Sequence, residues 1–526
     1  MHQLPQELIS HIATFVKRKD DQSQAPLGHH PQGPSKLAPY ATISRIWQYA
    51  IERLTFQRIG LKSTELSYFS DIVVSHRRRY LAYLHYEIIL PTYSEARCAK
   101  FENDHDKHMN NEVFTDACVG LLRILKSWES PSSNSSQRAY AITLNLYAAF
   151  SPMDDGHRGQ EKDPKDKSQS AVNKREDLLD HRYEHSVLRL LKTQDLPTVS
   201  TISEFWGDLH EPRSIEPSSV AAIAASFVNL RAIFWTLKDN EKKDTRMRLD
   251  DRENFARDLS TITQPSLKTF DLIFHNNWPS NQDFFPALPL LSTAPYQDEL
   301  SLALHNFSQR SSIETIYLGG PIVISPSLFW PDCPKATPVW PNLVSFHVVF
   351  NLNTMNGEWY FVRDPERREE EFAEDSAVDD EIRLDDIESD HNSVLSDDSL
   401  VPDSYNKKEE MRASGQFPMR RFRFLPDSEK ITPLLVAMAR AAGQMPKLQR
   451  ITLRADLATG RRDIFEVEYL AAGQKPYHRH EKKVENRWEP RLYWESGKWR
   501  PDDEVLRLWR QAKAVDGKLL VRFVEW

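Results

Sequence analysis

Asp104, His105 and His108, within the stretch DHDKH, come nearer to metal-binding chemistry by type and spacing than any other residues of this chain. Side chains three and four apart on a helix share a face, so the three would point toward one ion. A metal site needs further ligands, and the surrounding sequence supplies none. A solvated polar face is therefore expected, with no metal or other cofactor. Motifs of other chemistries are missing: there is no phosphate-cradling G-x-x-x-x-G-K-[ST], no G-x-S-x-G elbow, no H-E-x-x-H and no G-x-G-x-x-G. The 18 histidines are scattered, and none stands beside an obvious nucleophile. No enzymatic activity is expected. Cys98, Cys118 and Cys333 lack the close pairing of zinc or redox sites and read as buried thiols in a reducing compartment.

What remains is a large body of elements with a binding role. A chain of 526 residues, 40% of them hydrophobic, can bury a sizeable core and form more than one structural unit. It holds no run of about 18 apolar residues, and its start lacks the basic and unbroken apolar stretches of a signal peptide. A cytoplasmic or nuclear location without membrane contact is expected. The net charge of −8 is uneven, because residues 364–400 hold 16 acidic and 3 basic side chains and leave +5 on the rest. The basic clusters HRRR (76–79) and HRHEKK (478–483) are short, so no nucleic-acid partner is expected. Residues 19–36, 154–177 and 364–412 are polar, charged and poor in apolar residues, and read as disordered, solvated insertions.

Between these insertions one pattern returns. In LRAIFW (230–235), LKTFDL (267–272), IETIYL (313–318), LVSFHV (343–348) and LQRITL (448–453), apolar residues hold the first, fourth and sixth places. Helix-like stretches precede most copies: SSVAAIAASF, RENFARDLSTI, DELSLALHNF and TPLLVAMARAA. The starts lie 37, 46, 30 and 105 residues apart, the last gap being swollen by the acidic insertion. A helix–turn–strand unit that cannot cover its own apolar face stacks on its neighbours. YAITLNLYAAF (140–150) and, more weakly, LPTVSTISEF (196–205) read as earlier strands of the same sheet. RDIFEVEYL, PRLYWES and KLLVRFVEW read as strands at the far end, with DDEVLRLWRQA as a helix. Trp488, Trp494, Trp499, Trp509 and Trp526 crowd that end and suggest a packed closing cap.

At the N-terminus, LPQELISHIATFV (4–16) places Leu8, Ile9, Ile12, Phe15 and Val16 on one helical face, with Pro5 suited to the first turn. YATISRIWQYAIERLTF (40–56) does the same with Ile43, Ile46, Trp47, Ala50, Ile51 and Leu54. A helix pair this small has too little core to stand alone and needs a partner within or beyond the chain.

These two stretches resemble an F-box. LPQEL matches that family's opening L-P-x-E-L, and ISRIW matches its V-S-K-x-W, with residues 19–36 as an insertion between the halves. The L-x-x-L-x-L pattern resembles the strand core of leucine-rich repeats in a degenerate form, lacking the regular Asn or Cys and an even period. Together the two look like the F-box proteins of filamentous fungi. The resemblance implies an α/β fold: an N-terminal helical hook (1–60), a helical linker region (61–135) and an irregular leucine-rich-repeat-like solenoid with a mostly parallel curved sheet (136–526). It implies a substrate-recognition adaptor of a Skp-cullin-F-box ubiquitin ligase, its partners being a Skp-type adaptor, a cullin and an unidentified protein substrate. Leu4, Pro5, Leu8, Ile9, Ile12, Ile43 and Trp47 would then face the Skp-type adaptor. The alternative is a repeat-based interaction scaffold with no ligase association.

Overall fold

The computed structural model describes residues 5–23, 37–94, 97, 100–129, 141–154, 182–183, 185–208, 213–239, 245–276, 280–284, 298–332, 337–366, 370–371, 382–383, 404–405, 415, 419–457, 464–476 and 488–524. A twelve-stranded sheet organises them, and its strands lie side by side in sequence order. They are β1 (Arg58–Lys62), β2 (Tyr83–Ile89), β3 (Ile142–Phe150), β4 (Ile202–Asp208), β5 (Ala232–Lys238) and β6 (Thr269–His275). Then come β7 (Thr315–Ile322), β8 (Ser345–Phe350), β9 (Arg450–Asp456), β10 (Ile464–Leu470), β11 (Arg491–Glu495) and β12 (Leu520–Val524). Every pair from β1 to β9 is parallel. Only β9–β10 and β10–β11 are antiparallel, and β11–β12 returns to parallel. The fold is thus mixed α/β with a mostly parallel central sheet.

The repeated pattern explains the register. Fourth-place residues sit opposite one another across five strands: Ile233, Phe270, Ile316, Phe346 and Ile451. Sixth-place residues Trp235, Leu272, Leu318, Val348 and Leu453 form the next row. All ten are buried. Strand side chains alternate faces, so both rows point to one side of the sheet. A slip of one residue would turn them to solvent at about 1.5–3 kcal/mol for each large apolar side chain, which fixes the alignment.

Helices cover that side. α1 (Gln6–Ser23) and α2 (Arg45–Thr55) pack on each other with a core of their own, and α3 (Leu66–Ile72), α4 (Ser75–Arg78) and the long α5 (Asp104–Ser127) come after them. α6 (Pro217–Ala225), α7 (Thr245–Leu259), α8 (Glu299–Ser308), α9 (Ser428–Gly443) and α10 (Asp503–Lys513) follow. α6 to α9 coincide with the four helix-like stretches read ahead of the strands. Their starts follow from local chemistry: Asp298 accepts from the Ser301 N–H at 3.2 Å and Asp427 from the Glu429 N–H at 3.0 Å, satisfying donors at the helix ends. Neighbouring helices pack side by side, α6 on α7, α7 on α8 and α9 on α10. Gly320, at φ +76°, lets β7 shift register between Leu318 and Ile322, since a Cβ there would come within 2.7 Å of the Phe274 backbone.

Four expectations need correction. The segment 61–135 is not a helical linker, because β2 lies within it and pairs with both β1 and β3. Leu81, Leu84 and Tyr86 obey the same first, fourth and sixth pattern, and all are buried in the main core. The insertion at 19–36 begins later than expected, since α1 continues through Ser23. Residues 24–36 lie outside the described residues. Within 364–412, Glu370–Glu371 pair with Arg420–Arg421, and Ile382–Arg383 with Ser404–Tyr405, both antiparallel. Of 154–177, Asp154 is buried and accepts hydrogen bonds from the Tyr93 and Tyr183 hydroxyls at 2.6 and 2.8 Å. Residues 155–177 lie outside the description.

At the far end the three strands and the helix form as the sequence indicates. Trp494 packs 6.4 Å from Trp499, and Trp509 stacks on Tyr469 at 5.8 Å. Trp488 is 80% exposed and takes no part, and Trp526 lies outside the described residues.

Candidate functional site

The N-terminal helices form a small core of their own, separate from the main one: Ile9, Ala13, Leu37, Ala50 and Ile51, ringed by Val16, Ile46, Trp47 and Leu54. Ser44 caps α2 by accepting from the Trp47 N–H at 3.4 Å. The expected adaptor-facing residues divide. Leu8 (49%), Ile12 (40%) and Ile43 (58%) are exposed, as are Pro5 and the neighbouring Phe15 at 72%. Ile9 is buried inside the pair, and Trp47 is half-buried, its ring 6.3 Å from Tyr40. Leu4 lies outside the described residues. Phe15 shares the helical face with Leu8 and Ile12, a placement its spacing in the sequence already gives. A groove of about 1160 Å³, lined by Ile12, Phe15, Leu54 and Tyr80 among others, runs between α1 and the start of the main domain.

A polar cluster ties this module to the sheet domain. Glu52 on α2 accepts from Arg77 at 2.7 Å and lies 3.1 Å from His76, both on α4. Burial disfavours the charged carboxylate, but hydrogen bonds from Arg77, Gln48 and His76 outweigh it and hold Glu52 below the usual carboxylate range.

The second surface is the sheet face opposite the helices. Fifth-place residues line up across it: Phe234, Asp271, Tyr317, His347 and Thr452, with Trp206 of β4 beside Phe234. Two aromatic pairs stand out. Trp206 and Phe234 have ring centroids 4.5 Å apart, and Tyr317 stacks on His347 at 4.8 Å with planes 4° apart. Between the pairs lies Asp271, whose carboxyl burial pushes up to about 6. Toward β10 the face becomes charged and paired: Arg454 lies 3.7 Å from Glu466 and 2.7 Å from Asp456, and Arg450 lies 3.5 Å from Glu468. This row carries no apolar period of its own, because its residues alternate with the buried fourth and sixth places of the pattern.

Asp104, His105 and His108 are exposed on α5, and His108 lies 3.2 Å from Glu112. Among the described residues no group of three or more His, Cys, Asp and Glu could hold a metal ion. Cys118 is buried, and burial pushes its thiol up to about 12, which suppresses the reactive thiolate. Cys98 and Cys333 lie outside the described residues. Among the described residues no helix is long and apolar enough to cross a membrane. Compared with protein-family models and with curated proteins, the chain matches none.

Proposed function

We propose that this protein is a substrate-recognition adaptor of a Skp-cullin-F-box ubiquitin ligase. Its N-terminal helix pair docks on a Skp-type adaptor, and the open sheet face of an irregular leucine-rich-repeat-like solenoid takes the protein substrate. The observation that carries the reading is the helix pair itself: it has a core separate from the main one and leaves Leu8, Ile12, Phe15 and Ile43 exposed. Side chains of that size at solvent, rimmed by polar residues, favour a protein partner. The in-order, mostly parallel strands with their covering helices support the repeat reading, since stacking of this kind leaves one long face free. One observation favours the scaffold alternative: Trp47, an expected docking residue, is half-buried within the pair. Co-expression with a Skp-type adaptor and a cullin, followed by size-exclusion chromatography, tests the reading. A single co-eluting complex is expected; separate elution of the chain would leave only the scaffold.

A further inference from the structure

We infer that the open sheet face holds a subsite for one arginine side chain of a protein partner, with Asp271 as its carboxylate and Phe234 and Tyr317 as its walls. The inference deepens the proposed function and rests on reading that face as the substrate surface.

Phe234, Asp271 and Tyr317 occupy one register row on three adjacent parallel strands. Strands lie about 4.8 Å apart, so the two aromatic residues stand about 9.6 Å apart at the backbone. A planar group in van der Waals contact with a ring on each side needs about 7 Å. Both walls are held before any ligand arrives. Phe234 leans on Trp206, whose indole N–H donates to Glu204 at 3.0 Å. Tyr317 stacks on His347, and its ring lies over Gly319, where a Cβ would come within 2.5 Å of it. Gly319 therefore permits that ring position, and any larger residue would displace it.

Asp271 supplies the direction of charge. Other carboxylates on this face have partners: Glu204 accepts from Thr143 and Trp206, Glu466 and Asp456 meet Arg454, and Glu468 meets Arg450. Among the described residues, the Asp271 carboxylate has no hydrogen-bond and no ion-pair partner, although it is more than half withdrawn from water. A carboxylate left so is costly, and an arriving cation offsets that cost through a charge-assisted hydrogen bond. Arginine fits better than lysine, because the guanidinium is planar, stacks on rings and meets a carboxylate in a fixed fork.

Saturation-transfer NMR on the full chain tests this, with a glycine–serine heptapeptide carrying one central arginine and its citrulline counterpart as probes. Transfer to the arginine side chain is expected to saturate with dose, to fall about tenfold in apparent affinity with citrulline, and to strengthen from pH 5 to 7. Asp271→Asn removes an unpaired charge and should melt no lower than the wild type while losing arginine binding; Phe234→Ala should weaken it several-fold. Equal binding of arginine and citrulline, an unaffected Asp271→Asn, or no saturable binding by the wild type would each overturn the subsite. Skp-type adaptor co-purification from the same preparations separates the two ideas. Adaptor retained without arginine binding overturns the subsite alone, whereas arginine binding without the adaptor sustains the subsite and removes the ligase reading.

Discussion

Glu52 on α2 and Arg77 on α4 meet at 2.7 Å, and this ion pair fastens the N-terminal helices to the first strands of the sheet. Glu52 is nearly buried at the side chain and Arg77 is one quarter exposed, so the pair is worth more than a surface salt bridge. Because the folded-state pKa of Glu52 is lowered, its contribution is present at neutral pH and is lost as pH falls through that lowered value. Glu52→Gln should loosen the helix pair by about 1–2 kcal/mol. Hydrogen exchange in α1 and α2 should quicken while exchange in β5 to β9 stays unchanged. Uniform exchange across both regions would show that the module is not an independent unit.

The buried rows carry the stability of the sheet. Leu272 is fully buried between Trp235 and Leu318 on the neighbouring strands. Leu272→Ala should cost about 2–5 kcal/mol, read by denaturant titration. The exposed Tyr68→Ala should cost far less, since that side chain is 67% accessible.

Asp271 makes stability depend on pH. Burial raises its folded-state pKa to about 6, so the native state holds a proton that the unfolded chain releases at lower pH. Its contribution is complete below the unfolded value, near 3.9, and is lost as pH rises through about 6. Asp271→Asn should flatten the fall in melting temperature between pH 4 and 7 and leave the variant about 1–3 °C more stable at pH 7.5. An unchanged slope would place the proton elsewhere.

The acidic insertion is anchored at its base and should be dispensable for folding. Glu370–Glu371 pair with Arg420–Arg421, and Phe361–Arg363 with Arg423–Pro426. Replacing residues 373–412 with a short glycine–serine linker keeps both pairings and should shift the melting temperature by less than about 2 °C. A large loss would place the insertion within the folded core.

Much of the sheet was legible because five copies of one pattern share a single register, and Ile233, Phe270, Ile316, Phe346 and Ile451 align without a slip. The first strands were harder to read. Phe56, Ile59 and Leu61, then Leu81, Leu84 and Tyr86, keep the pattern, but α3 and α4 between them are too short to signal a crossover. Insertions at 154–177 and 364–412 also disguised the spacing. At the N-terminus, periodicity placed Leu8, Ile9 and Ile12 on one broad face, yet it could not say that Ile9 turns inward to α2 while Leu8 and Ile12 stay outside. Asp271 carried no sequence signal by itself, since its meaning comes from Phe234 and Tyr317 on adjacent strands.

The proposed function depends first on Skp-type adaptor binding to the exposed side of the N-terminal pair. The direct measurement is co-purification of a Skp-type adaptor with the wild-type chain and with Leu8→Asp combined with Ile43→Asp. Both residues are about half exposed or more, so the charges enter the surface and not the small core. The expected result is a stoichiometric adaptor band with the wild type, at least a tenfold loss in the double variant, and an unchanged melting temperature for the sheet domain. An adaptor band of equal strength from the double variant, or none from the wild type, would contradict it.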